Sequence, residues 1–184
     1  MEKITLIFLS AIFFFQSCKK QDSKQDYIEI TKEKSGTTTK ATYKKRRLIT
    51  SEVFNESGKL DSKYIYNKGT VIKMYQYFPD QKVSSYSYLN KAPNHFTTTI
   101  YFRNGKIACE GEGDYFKSKN LYLRRGPWIF YTKSGKPYSI YTFSHDKKKE
   151  YIKGEMLFDT IKKKITKDVI YDPPFLYGKK ILIL

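Results

Sequence analysis

The amino-acid sequence predicts a mainly β protein, built as an antiparallel sheet of consecutive β-hairpins. Aromatic residues make up 17% of the chain, with 17 Tyr and 13 Phe, and such residues favour the pleated, half-buried surface of a sheet. Short polar turns recur between apolar runs. The clearest pair of runs, 126–131 and 137–143, contains the one Trp and brackets a Ser-Gly turn, which is the pattern of a hairpin.

The length of the chain limits it to one globular domain and a targeting segment. Its 184 residues, 40% of them apolar, are enough for a modest core. The formal net charge is +17, from 35 Lys and Arg against 18 Asp and Glu. Such a charge attracts polyanions, which include anionic lipids, acidic glycans, acidic proteins and nucleic acid. The alternative is that it serves solubility alone.

Residues 1–17 have the features of a signal peptide. Lys3 precedes an apolar run of 12 residues, from Ile4 to Phe15. A transmembrane helix needs about 20 apolar residues, so this run predicts a removed secretory signal and not a membrane span. Ser17 and Cys18 come shortly after the run.

The pair Ser17-Cys18 resembles the lipobox of bacterial lipoproteins, in which the Cys is diacylated and becomes the new N-terminus. The resemblance implies lipidation of Cys18 and a membrane attachment in the cell envelope. Lys19 and Lys20 follow, whereas enterobacterial lipoproteins kept at the inner membrane have Asp there, so the outer membrane of a Gram-negative bacterium is expected. The alternatives are an ordinary cleaved signal and a buried Cys in an uncleaved segment.

Residues 18–45 are predicted to be the lipidated Cys and a basic, solvated tether, because large apolar residues are few there. The alternating run 27–30 leaves a short first strand open as an alternative. The hairpin repeat domain is then expected over residues 46–184. The densest basic cluster ends the tether, as a candidate contact with an anionic surface or as a solvated domain edge: Lys44, Lys45, Arg46 and Arg47.

From about residue 48 the chain repeats one pattern: an aromatic residue, a short polar turn, Lys and usually an apolar residue. The turn positions are spaced 23, 24 and 30 residues apart: Gly58, Gln81, Gly105 and Gly135. Gly supplies the positive φ that a hairpin turn requires, so each copy is predicted to be one hairpin. Gln81 lacks that freedom, and its turn is expected to be longer or of another type. A single hairpin cannot bury its apolar face, so neighbouring copies must cover one another.

Four stretches resemble the variant MORN repeat, a hairpin unit with a Gly-x-Trp-x-x-Tyr pattern followed by x-Gly-Lys. They are 104–107, 110–113, 126–131 and 134–136. The resemblance implies an elongated, twisted single-layer sheet of MORN-like hairpins. Some bacterial members of that family are described as antitoxin-like, and the family carries no catalytic residues.

The C-terminal part is predicted to add further strands. Residues 154–158 form one candidate strand. Apolar residues spaced four apart within 161–169 permit a helix, but the β-branched residues around them favour strands. The Pro173-Pro174 pair is expected to close that segment, and the apolar end, 179–184, is expected to pair as a last strand that caps the sheet.

No catalytic, metal or cofactor site is predicted. The two His residues, His95 and His145, lie far apart with no second ligand at a metal-like spacing. Cys109 lies in a strand pattern and is expected to be a buried small residue. Motifs for phosphate loops, nucleophile elbows and metalloproteases are absent from the sequence, so a non-enzymatic protein is expected. Three carboxylates fall on one side of a strand as surface residues: Glu110, Glu112 and Asp114.

Aromatic side chains interleaved with basic ones, as at 122–125, predict a charged stacking surface, in which Arg124 and Arg125 are candidate contacts. The alternative is that these rings pack between neighbouring hairpins. The favoured function is a binding or scaffolding module for an anionic envelope lipid, glycan or protein, with nucleic acid ranked last. The rival hypothesis is an immunity or antitoxin-like protein that neutralises one toxin, and a purely structural component is the third.

Overall fold

The computed structural model describes residues 26–177, and they form a single antiparallel sheet of 12 strands. Strand order in the sheet equals strand order in the chain, so the prediction of a mainly β fold made of consecutive hairpins is confirmed. No helix among these residues is long and apolar enough to cross a membrane. The strands are β1 Tyr27–Lys32, β2 Thr38–Lys44, β3 Arg47–Phe54, β4 Leu60–Asn67, β5 Thr70–Tyr77, β6 Val83–Lys91, β7 His95–Tyr101, β8 Ile107–Phe116, β9 Leu121–Tyr131, β10 Pro137–His145, β11 Glu150–Asp159 and β12 Lys164–Leu176, with a 3-10 helix at Lys117–Lys119.

The sheet begins earlier than expected. Residues assigned above to the end of the tether form β1 and β2, and Tyr27 lies opposite Tyr43. The rings of these two tyrosines stack with 4.4 Å between their centroids. Strand β2 is rich in Thr, whose branched side chain suits a pleated surface. The strand alternative for 27–30 is therefore the one observed, and the sheet begins at Tyr27 and not at residue 46.

Five hairpin connections share one turn geometry. In each, the N–H of the first residue donates to the C=O of the fifth, and the N–H of the fourth donates to the C=O of the first. This is a three-residue loop closed by a residue with positive φ. The prediction of another turn type at Gln81 is wrong, since its φ of 66° matches that of the glycines. The closing residues are Gly36, Gly58, Gln81, Gly105 and Gly135.

The connections form two rows, one at each end of the strands. The N-terminal rim is the row at which β1 begins, and it consists of 45–46, 68–69, 92–94, 117–120 and 146–149. The opposite rim holds the five repeated turns and the connection 160–163. Neighbouring turns of the opposite rim touch, since Lys106 Nζ donates to the C=O of Ser134 at 3.1 Å. Each repeat in the sequence therefore contributes one turn to the opposite rim.

The sheet curls toward one face, which carries Tyr64 and Trp128 and is named here the inner face. Strands β4 and β8 have three strands between them, which in a flat sheet separates them by roughly 19 Å. The rings of Tyr64 and Tyr115 nevertheless come within 6.4 Å. Lys117 Nζ also donates to the C=O of Gly69 at 3.2 Å. The curl makes the inner face a groove.

The core lies on the inner face of β8 to β11. Trp128 is 1% exposed and packs with Phe143 and Ile152. Its indole lies against Gly111, where a Cβ would stand 2.5 Å from Trp128 Cγ, and Gly113 lies in the same relation to a Tyr ring. The glycines of the Glu-Gly-Glu-Gly stretch therefore leave the space that these two aromatic rings occupy.

The predicted C-terminal strands are confirmed with one correction. Residues 154–158 lie in β11, and β12 is a strand and not a helix. The Pro173-Pro174 pair does not end β12 but lies where its register jumps from Ile170 to Phe175. Proline is tolerated there because β12 is an outer strand of the described sheet and the jump leaves the ladder interrupted. The predicted last strand, the signal peptide and Cys18 lie outside the described residues.

Candidate anionic-surface site

The chain enters the sheet at the N-terminal rim. Asp26 is the first described residue, and its carboxylate accepts a hydrogen bond from the N–H of Lys45 at 3.0 Å. Cys18 precedes Asp26 by eight positions, a length of chain that reaches at most roughly 28 Å. An acyl group on Cys18 would therefore keep this rim within that distance of a membrane.

The cluster 44–47 forms the first turn of this rim. Lys45 and Arg46 are the central residues of the β2–β3 connection, with φ of 48° and 62°. Positive φ at both central positions is the turn whose twist matches a hairpin. The basic cluster is thus the tip of a regular hairpin, and its four residues are exposed.

Further basic residues continue the row. The connections 45–46, 68–69, 92–94 and 117–120 contain no Asp or Glu, whereas acidic residues interrupt the opposite rim. The exposed basic residues of the N-terminal rim beyond the cluster are Lys68, Lys117, Lys119, Lys147, Lys148 and Lys149. The repeated turns of the opposite rim hold acidic residues, Glu33, Glu56 and Asp80, among exposed basic ones, Lys34, Lys59, Lys82, Arg103, Lys106, Lys133 and Lys136.

The one acidic residue in the connections of the N-terminal rim is bound within its own turn. The Asp146 carboxylate accepts the backbone N–H groups of Lys149 at 2.8 Å and Lys148 at 2.9 Å. These hydrogen bonds, the one from Lys149 first, lower the pKa of Asp146. One carboxylate oxygen, Oδ1, is therefore directed back to the turn, and the other, Oδ2, accepts from the Tyr151 hydroxyl at 2.9 Å.

Arg124 is corrected as a surface contact. Its side chain is 13% exposed, and Nη2 lies 2.9 Å from Glu150 Oε2, whose side chain is 12% exposed. The guanidinium also lies 4.2 Å from the centre of the Phe143 ring and 4.0 Å from that of Tyr177. The charge of the Arg124 guanidinium is thus paired, and its planar face is packed on aromatic rings, within the protein. This happens because the curl of the sheet brings β9 against the start of β11.

Arg125 points the other way. Its side chain is 55% exposed and forms an ion pair with Asp114, with Nη1 3.6 Å from Oδ2, so about half of the side chain stays accessible to solvent. The aromatic residue beside these arginines packs inward, since the Tyr122 hydroxyl accepts from Thr98 Oγ1 at 2.8 Å. At Tyr122 the packing alternative is therefore the one observed.

Asp114 gathers both histidines of the chain. Its Oδ1 lies 3.0 Å from His95 Nδ1, and its Oδ2 lies 3.0 Å from His145 Nε2. The second ring nitrogen of His95 lies 2.9 Å from Glu112 Oε2. Sequence spacing gave no sign of this cluster, because the pairing of β7 with β8 sets His95 opposite Asp114 and His145 comes from β10, two strands away from β8. Within residues 26–177 no group of His, Cys, Asp and Glu has the arrangement of a metal site.

Cys109 has the environment of a structural residue. It is 6% exposed, and burial raises the pKa of its thiol to about 11. Since the thiolate is the nucleophile, such a thiol is unreactive at neutral pH.

Comparison with known proteins identifies no family. No family model matches the chain, and no curated protein matches it. A crystal structure of a Staphylococcus aureus TarM mutant in complex with fondaparinux, alpha-GlcNAc-glycerol and UDP is 14% identical, with 77% of this chain and 21% of that chain covered and a TM-score of 0.27.

Two other solved structures are similarly distant. A Bacteroides fragilis protein of unknown function is 11% identical over 80% of this chain and 93% of that chain, with a TM-score of 0.19. A DUF3836 family protein from Parabacteroides distasonis is 10% identical over 80% and 90%, with a TM-score of 0.14. Likenesses at these TM-scores support no inference about fold or function, and the lipobox and MORN resemblances stay predictions.

Proposed function

We propose that the protein is a non-enzymatic lipoprotein of the cell envelope, a binding and scaffolding module whose N-terminal rim contacts an anionic membrane surface. One observation carries the proposal. The chain enters the sheet at Asp26, on the rim whose four connections from 45 to 120 contain no acidic residue and, in three of the four, basic ones. A lipid group on Cys18 and the basic rim would then act on the same side of the molecule.

The strength and range of the electrostatic attraction suit the rim for orienting the protein on the bilayer. Each basic residue near an anionic bilayer contributes about 1 kcal/mol, and salt confines this attraction to within roughly 10 Å. The exposed cluster 44–47 and Lys68 stand at turn tips, so they can approach a surface that closely. Acyl chains would attach the protein, and the rim would set which end of the sheet faces the bilayer.

Vesicle binding tests the proposal. The chain from residue 18 onward, carrying Cys18→Ser so that no acyl group contributes, is mixed with phosphatidylglycerol or phosphatidylcholine vesicles across a salt series. We expect binding to the anionic vesicles that falls steeply with salt, and none to the neutral ones. Absence of binding at low salt would rule out the charged contact and direct the search to a single protein partner.

Two matched triple variants locate the contact, each removing three positive charges from exposed turns. The first uses Asn where the turn needs positive φ, since Asn adopts that conformation readily. We expect the first to lower affinity about 100-fold and the second less than about threefold. Equal losses would show attraction to net charge without a defined rim. The first is Lys45→Asn, Arg47→Gln and Lys68→Asn; the second, on the opposite rim, is Lys34→Gln, Lys59→Gln and Lys133→Gln.

A further inference from the structure

The curled inner face forms a groove with two halves. One half has a volume of about 640 Å³ and the other about 560 Å³, within the range of roughly 300–1,000 Å³ that is usual for small-molecule sites. Ile100, Arg124 and Tyr177 line both halves. The two halves therefore adjoin, with these residues at the boundary between them.

The half nearer the opposite rim is apolar. Phe130 and Phe143, which are 6% and 2% exposed, belong to both the core and this lining. Ile100 and Phe102 add to the lining, as does Cys109, which burial keeps in the uncharged thiol form. Such a surface is stabilised when apolar groups displace water from it.

Two tyrosine hydroxyl groups in this half are already engaged. The Tyr131 hydroxyl donates to Glu110 at 2.6 Å, and the Tyr141 hydroxyl donates to Glu155 at 3.1 Å. A sugar needs donors and acceptors along its whole length, and unpaired hydroxyls in an apolar site are costly. The apolar half therefore fits a hydrocarbon chain better than a glycan.

The half nearer the N-terminal rim adds polar and positively charged side chains to a partly aromatic lining. Lys148 and Lys149 line it, and they have no ion pair among residues 26–177. The nearby carboxylate of Glu150 is taken up by Arg124 through Nε and Nη2. This end of the groove is therefore complementary to an anion.

We infer that the groove binds an amphiphile with one acyl chain and an anionic head group, such as a fatty acid. The chain lies in the apolar half, and the head group lies against Lys148 and Lys149. These two lysines belong to the N-terminal rim, so the head-group end of the groove opens on the side that the proposed function turns toward the bilayer. The inference rests on the groove itself and does not require that contact.

Quenching of Trp128 fluorescence tests this. Trp128 is the one Trp of the chain and lies 6.4 Å from the Phe143 ring, which lines the apolar half. The probes are 11-bromoundecanoic acid and the uncharged 11-bromoundecanol, because bromine on the chain quenches only a nearby indole. We expect both to quench, and the acid to bind about tenfold more tightly, as one charge-assisted hydrogen bond would provide.

A matched pair of double variants assigns the head group. In Lys148→Gln with Lys149→Gln, acid and alcohol should bind equally. In Lys162→Gln with Lys163→Gln, which removes the same charge from exposed residues of the opposite rim, the tenfold preference should persist. Both pairs alter exposed turn residues, and urea unfolding checks that each variant folds.

Several results would overturn the inference. They are absence of quenching by either probe, an acid preference that survives in the Lys148 and Lys149 variant, and a change in Trp128 emission with an oligosaccharide in place of the acid. Quenching that appears only when the chain is shortened after Tyr177 would mean that the protein's own residues occupy the groove. Vesicle binding is measured separately, so failure of the membrane contact and failure of the groove are distinguishable.

Discussion

The side-chain amide of Gln81 bonds both backbone groups of Leu60: Oε1 accepts the N–H at 3.1 Å and Nε2 donates to the C=O at 3.2 Å. It thereby ties its turn to the start of β4 in the neighbouring hairpin. Gln81 has a φ of 66°, which costs a non-glycine residue about 1 kcal/mol or more. The two hydrogen bonds offset that strain and explain why this turn keeps the shared geometry.

Gln81→Ala is expected to lower the free energy of unfolding by about 2 kcal/mol, because alanine keeps the strained φ and loses both hydrogen bonds. Gln81→Gly should cost only about 1 kcal/mol, since glycine adopts positive φ freely. Urea unfolding followed by Trp128 fluorescence measures both. A glycine variant less stable than the alanine variant would show that strain at this position is negligible.

The ion pair of Arg124 with Glu150 should contribute strongly to the free energy of unfolding. Removing the charge of Glu150 in Glu150→Gln leaves a buried guanidinium without its partner, and we expect a loss of about 3 kcal/mol. The control is Arg125→Gln, since its 55% exposed side chain should change stability by less than about 0.5 kcal/mol. Similar losses in both variants would contradict the inward role of Arg124.

Gly111→Ala tests the packing of the core. The new Cβ would stand 2.5 Å from Trp128 Cγ, so the indole must move, with a loss of about 1–3 kcal/mol and a shift of its emission to longer wavelength. Gly58→Ala serves as control, because open space surrounds Gly58 although its φ is 74°. That variant should lose stability without changing the emission of the folded protein.

Acid should weaken the contact between β10, β11 and β12. Burial raises the pKa of Glu155, but hydrogen bonds from Lys167, Tyr171 and Tyr141 outweigh this and lower it overall. A lowered folded-state pKa gives stability that is present above the unfolded value of about 4.3 and is lost as pH falls through the folded value. The stability difference between wild type and Glu155→Gln should therefore be constant above about pH 5 and shrink below about pH 4. A difference independent of pH in unfolding titrations would contradict this.

Local patterns were sufficient to predict the hairpins. Turn glycines such as Gly105 and strand alternation act within a few residues, so the sequence alone indicates the sheet. Positions that depend on distant partners could not be predicted. Arg124 is buried because a residue 26 positions away binds it, and Gln81 keeps its turn through a residue 21 positions away. Register and curl decide such contacts, and neither is encoded in local spacing.

For the basic cluster, too, one property could be predicted from the sequence and another could not. Its charge is visible in the sequence, but its place at a hairpin tip depends on β1 and β2, whose polar composition indicated a tether. The hydrogen bond from the N–H of Lys45 to the Asp26 carboxylate places the start of the sheet beside the cluster, on the N-terminal rim. That relation is three-dimensional and carries the proposed orientation.

The orientation of the acylated protein on a bilayer tests this account most directly. A fluorophore is attached through Lys68→Cys on the N-terminal rim or through Ser57→Cys on the opposite rim, both exposed, and spin-labelled anionic lipids serve as quenchers. Cys109 is buried and should not be labelled in the folded protein. We expect strong quenching of the label at position 68 and little at position 57. Equal quenching at both positions, or stronger quenching at position 57, would contradict the proposed orientation.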